Sequence, residues 1–187
     1  MAREAANIFR RFVASTRAVA AIEFAMVLPV LAILFLASFD GGRAIAIYMK
    51  VRAATYALDT VSNQYTTIQS TDMTSIMQAT SLIMAPYSSA PIVATISQIA
   101  ISGTGNATVA WSYSLNGTAR AQGSAITVPT ALDNDNTYLI FAEVTYTFTP
   151  VFGFFTPGSI TFSDNLYVTP RNSTCIIYVP QTGTSCT

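Results

Sequence analysis

The sequence predicts an α+β protein in which one long N-terminal helix, first transmembrane and then amphipathic, packs on an antiparallel β-sheet head. Three observations carry this. From Ala18 to Phe39 the chain is apolar with a single charge, Glu23. Beyond the Gly41-Gly42 pair, Ile47, Val51, Ala54, Leu58 and Val61 recur at helical spacing. From Ile92 onward, apolar and polar residues alternate in short segments separated by turn residues.

The first helix follows from length and charge. At ~1.5 Å per residue, Ala18 to Phe39 spans ~33 Å as a helix, enough for a hydrocarbon core of ~30 Å. Residues 1–18 form a basic leader, with Arg3, Arg10, Arg11 and Arg17 against Glu4. Short basic flanks stay in the cytoplasm, so the leader is expected there and the rest of the chain across the membrane. A secretory signal peptide is the rival for this segment. Three features oppose it: an apolar run longer than the usual ~7–15 residues, bulky residues where cleavage would fall, and a carboxylate five residues into the run. Residues 19–39 are the expected span and 40–63 its amphipathic extension. One helix is therefore expected from about Val19 to about Asn63, kinked at Pro29, which lacks the backbone N–H a helix interior needs. Lys50, Arg52 and Asp59 are expected to lie off the apolar stripe.

Residues 64–91 read as a short helix, Asp72 to Met84 with Ser70 or Thr71 as its N-cap, followed by a linker between Pro86 and Pro91. Residues 92–187 are the expected β head. Ile92 to Ser102 is its first strand. In the next, Val109, Trp111, Tyr113 and Leu115 share one face, and Asn116-Gly117 predicts a two-residue hairpin into a strand from Thr118 to Gln122. Tyr138, Ile140, Ala142, Val144, Tyr146 and Phe148 line one face of a longer strand ending at Pro150, and Ile160 to Val168 is the last. The aromatic run Val151-Phe152-Gly153-Phe154-Phe155 between those two is either a contact surface or the capped edge of the core.

Composition excludes several functions. Nine Lys and Arg balance nine Asp and Glu, so there is no basic field for nucleic acid. There is no His, which rules out a Ser-His or Cys-His nucleophile and removes a common metal ligand. Asp133-Asn134-Asp135-Asn136 resembles the start of a calcium loop but lacks its glycine and its closing Glu, and reads as a polar turn. Gly103-Thr104-Gly105 is too short to cradle a phosphate. Neither a cofactor, a metal nor a catalytic residue is expected. Cys175 and Cys186 lie beyond the membrane in the expected topology, where disulfides persist, and a bridge would close a loop of about 12 residues for ~2–3 kcal/mol.

Arg17-Ala18-Val19-Ala20-Ala21-Ile22-Glu23-Phe24-Ala25-Met26-Val27-Leu28-Pro29-Val30-Leu31 resembles the N-terminal signature of TadE-like proteins, the pseudopilins or minor pilins of the bacterial tight-adherence (Flp) pilus system. Glu143 to Pro150 and Tyr167 to Arg171 resemble the β portion of the same family more weakly. The resemblance implies a type IV pilin-like, non-enzymatic subunit of the inner membrane with a periplasmic head, able to enter an extracellular pilus. Its implied partners are a prepilin peptidase and the other pilin-like subunits. Carried over, Glu23 is the glutamate five residues after the cut, which then falls between Ala18 and Val19; the family usually has Gly where this chain has Ala18. An uncleaved membrane-anchored scaffold and a secreted binding domain freed by signal peptidase are the alternative readings.

Overall fold

The computed structural model describes residues 16–103, 105–153, 158–181 and 186, with side chains from residue 19 onward. Arg3, Glu4, Arg10 and Arg11 of the leader, and Phe154 and Phe155, lie outside the described residues. The chain divides into two units, residues 1–43 with 150–158, and residues 44–149 with 159–187. Helix α1 (Thr16–Ser62) is continuous through Pro29 and contributes to both.

The second unit is the head. Its main sheet has the order β3-β2-β4-β5, antiparallel throughout, from β2 (Ile92–Ile101), β3 (Ala107–Leu115), β4 (Thr137–Phe148) and β5 (Ile160–Val168). One face is apolar: Ile92, Ala94 and Ile96 of β2 with Ile140, Ala142, Val144, Tyr146 and Phe148 of β4. Ile47, Val51, Ala54 and Leu58 of α1 join these residues in a single buried cluster. Removing side chains of this size from water contributes about 1.5–3 kcal/mol each. The expected stripe holds for those four positions and fails at its end, because Val61 is 40% exposed while Ser62 is fully buried. From Leu58 the buried row continues one turn on by a step of four instead of three, to Ser62. For the same reason Asp59, four residues past buried Thr55, is buried and not off the stripe. Lys50 is half-buried and donates from Nζ to the Ile83 carbonyl at 3.0 Å.

Helix α2 (Ser70–Leu82) buries Met73, Ile76 and Met77 in the same cluster. Its N-cap is Gln69, not Ser70 or Thr71: the Gln69 N–H donates to Asp72 Oδ2 at 3.0 Å, and that bond fixes the helix start two residues earlier than expected. Two further strands, β1 (Thr67–Ile68) and β6 (Ile177–Tyr178), pair in parallel. They are too short to carry a readable alternation.

Two expectations for β3 are corrected. Trp111 pairs with Gln98 and Val109 with Ile99, leaving Ala110 as a bulge. Neighbouring residues of β2 face opposite ways, so Val109 faces away from Trp111 instead of sharing its face. Thr118 to Gln122 form no strand. The chain leaves Asn116-Gly117 irregularly, with the Asn116 amide donating to the Ile92 carbonyl at 3.0 Å and the Arg120 N–H to Ser112 Oγ at 3.1 Å. Backbone-to-backbone bonds with β3 resume around Gly123 to Ile126, to Val109 and Ala107. The alternating apolar residues, Ala119 and Ala121, are small and exposed, so this segment has little apolar surface to bury in a ladder. Residues 126–132 cover the second face of the sheet, where Val128 packs with Ile99, Ile101, Ala107, Leu139 and Phe141.

The C-terminal segment is tied down by side chains. Trp111 donates from Nε1 to the Ile176 carbonyl at 2.8 Å, and the Ile176 N–H donates to Gln98 Oε1 at 2.6 Å. Cys175 is buried and bonded to Cys186, their Cα atoms 5.6 Å apart. We predict that unreduced, denatured protein has no thiol open to maleimide, and that Cys186→Ser lowers stability by ~2–3 kcal/mol. Labelling of both cysteines without reductant contradicts this.

At the end of α1, Asp59 Oδ1, Ser62 Oγ and Asn63 Oδ1 are buried without a hydrogen-bond partner. Burial pushes the Asp59 carboxyl from 3.8 up to about 7, and the Arg171 charge opposes this only partly. An acid raised on folding holds its proton more tightly in the folded state, so its contribution is complete below the unfolded value and is lost as pH rises through about 7. The head should therefore lose stability between about pH 4 and pH 7, and Asp59→Asn should flatten that slope. Thermal unfolding of the detergent-solubilised protein across this range checks it; the same slope in both proteins would place its origin elsewhere.

Candidate functional site

The first unit carries the residues singled out for membrane insertion and processing. Ala, Leu and Met favour a helix from Ala18 to Phe39, and in hydrocarbon the helix also satisfies every backbone group within the segment. Pro29 is the exception: it has no N–H to give to the Ala25 carbonyl, yet the helix continues. Ser38 satisfies its own hydroxyl by donating to the Leu34 carbonyl at 2.7 Å. Phe24, Met26, Leu28, Leu31, Leu34 and Phe35 are all exposed, on every side of the helix. This is one N-terminal apolar helix long enough to cross a membrane.

Ala18 and Val19 are neighbours on one turn of that helix, and Glu23 follows about one turn on. Val19 and Glu23, four residues apart, share a face about 6 Å apart along the axis. Both are exposed, and the Glu23 carboxylate has no hydrogen-bond or ion-pair partner among the described residues. Pro29 lies more than a turn further on, and Cys175 and Cys186 belong to the head, so neither joins this group.

The structure adds a carboxylate that sequence reasoning passed over. Asp40, the first residue past the apolar run, accepts three backbone N–H bonds: Val151 on Oδ1 at 3.0 Å, and Phe152 and Gly153 on Oδ2 at 3.0 and 3.2 Å. Phe152 packs edge-on against Phe39, their ring centroids 6.0 Å apart, and the Arg43 guanidinium lies 5.9 Å from the Phe39 centroid. The partners of Asp40 lie more than a hundred residues away in the chain, and no local pattern reaches that far.

No curated protein and no solved structure is significantly similar to the chain. Residues 18–57 match the family model of TadE-like protein. The match runs from the expected junction through Glu23, Pro29 and Asp40 into the buried stripe, and over this segment the chain is similar to TadE-like proteins.

Proposed function

We propose that the chain is a minor pilin or pseudopilin that takes part in assembling a tight-adherence (Flp) pilus for surface adherence. It is anchored by residues 19–39 as a single-pass protein of the bacterial inner membrane, with its leader in the cytoplasm and its head in the periplasm. A prepilin peptidase cuts it between Ala18 and Val19, and it then assembles with other pilin-like subunits. It is a structural subunit and the peptidase's substrate, not an enzyme.

The observation that carries this reading is Glu23: an exposed, unpartnered carboxylate within the TadE-like segment, one turn from the proposed cut. A charge within an apolar span costs several kcal/mol unless it is paired. Cleavage creates an α-amino group at Val19, and that amine on one subunit pairs with Glu23 of its neighbour. One observation favours a second reading, an uncleaved membrane-anchored scaffold: Ala18 stands where the family usually has Gly.

The mass of the mature N-terminus separates the readings. It starts at Val19 for a processed subunit, at or near Met1 for the scaffold, and beyond Ala37 for a domain released by signal peptidase. A C-terminal alkaline phosphatase fusion should be active, since a periplasmic head is required; an inactive fusion beside an active cytoplasmic reporter reverses the topology. Glu23→Gln should insert and be processed normally, yet lower sheared pili by well over tenfold, because an uncompensated amine costs about 3–5 kcal/mol. Normal piliation in that variant would remove the pairing.

A further inference from the structure

We infer that the turn at residues 151–153 is a lipid-contacting foot, clamped by Asp40 at the end of the apolar span so that Val151 and Phe152 enter the headgroup region of the membrane. The inference rests on residues 19–39 crossing that membrane.

Depth is the first argument. Phe39 closes the apolar run, and Asp40 follows it by ~1.5 Å of helix rise. Backbone atoms held 3.0–3.2 Å from the Asp40 carboxylate therefore lie within a few ångströms of the hydrocarbon edge. Phe152, packed on Phe39, lies at the same level. The second argument is exposure: Val151, Phe152 and Phe39 are 59%, 44% and 50% exposed, a contiguous apolar surface continuous with the span. Apolar side chains of this kind are stabilised some 5–10 Å into the headgroup and acyl boundary.

The third argument is hydrogen bonding. Irregular backbone near hydrocarbon is costly because its N–H groups lose water, at several kcal/mol for each one left unsatisfied. Here the N–H groups of three consecutive residues all have the same carboxylate as partner. Gly153, at a φ of 61°, adopts the left-handed conformation as the third of them bends toward Asp40. The carboxylate gains as much as the turn, since a charge at that depth also needs partners. Arg43, over the Phe39 ring, puts a cation where lipid phosphates lie.

The test uses the full chain in phosphatidylcholine and phosphatidylglycerol vesicles with bromine near the top of the acyl chains. Buried Trp111 is the sole native tryptophan and serves as the internal reference. Bromolipid should leave the parent's emission unchanged and quench the added emission of Phe152→Trp at least about twofold. In Phe152→Trp with Asp40→Ala, that quenching should fall back toward the parent level. Co-flotation with vesicles reads the anchor separately. A variant that floats without being quenched overturns the foot while leaving the anchor standing, and a blue-shifted but unquenched emission does the same by assigning the surface to a protein neighbour. Quenching that survives Asp40→Ala overturns the clamp, and failure to float overturns both inferences.

Discussion

Burial of Ile47, Val51, Ala54 and Leu58 under the face of β2 and β4 is the constraint on which the head depends. An antiparallel sheet tolerates water on one face only when its other face is covered. Here the face made of Ile92, Ala94, Ile96, Ile140, Ala142 and Val144 is covered by the second half of α1 together with α2. The same helix carries the apolar span. A single element thus has two halves of different character, the first apolar and exposed on all sides, the second packed into the protein core. A change in the stripe is a change in the head's core, even though the stripe is continuous in sequence with the apolar run.

The far side of that core is held by a different device. Ile176 is buried, and its backbone has regular strand partners on neither side, yet buried N–H and C=O groups need partners. Gln98 and Trp111, opposite one another on β2 and β3, supply them: one accepts from the Ile176 N–H and the other donates to its carbonyl. The bulge at Ala110 makes this possible, because it leaves Trp111 on the face toward Ile176 while Val109 pairs with Ile99 and faces the other way. The bulge, the buried indole and the buried amide work as a unit. Arg171, whose N–H bonds the Asn63 carbonyl, and the parallel pair β1 and β6 extend the same tie back to the end of α1.

What was legible in the sequence was periodic. The long helix, with its stripe as far as Leu58, and the strands at Ile92, Thr137 and Ile160 each run for nine residues or more, and their bounds fell within a few residues of expectation. What was not legible depended on partners distant in sequence. Val109 looked like a member of the Trp111 face because the bulge is set by pairing with β2. Thr118 to Gln122 looked like a strand because Asn116-Gly117 is a strong turn, yet its only apolar residues, Ala119 and Ala121, are too small to hold the segment in a ladder by burial. Asp59 looked like a surface charge because its neighbours on the helix are mixed, and only the packed sheet shows that it is enclosed. The second core under residues 126–132 had no signature, since a covering loop has no period. At the candidate site, Glu23 and Pro29 stood out by composition alone, and the Asp40 clamp did not.

Glu23 and Asp40 set the two ends of the apolar run in contrast. Both are carboxylates at the ends of a long, exposed apolar stretch, and in a membrane both would face the same cost of desolvation. Asp40 meets it within its own chain, through three N–H donors of a turn that itself needs an acceptor. Glu23 has no such partner among the described residues, and its helix offers none: every backbone N–H nearby is committed to the helix, and the side chains around it are apolar. The satisfied carboxylate fixes an internal geometry. Under the function proposed above, the other is satisfied by a neighbouring subunit, and Val19, a single turn away on the same face, is where a newly cut chain would carry the matching amine.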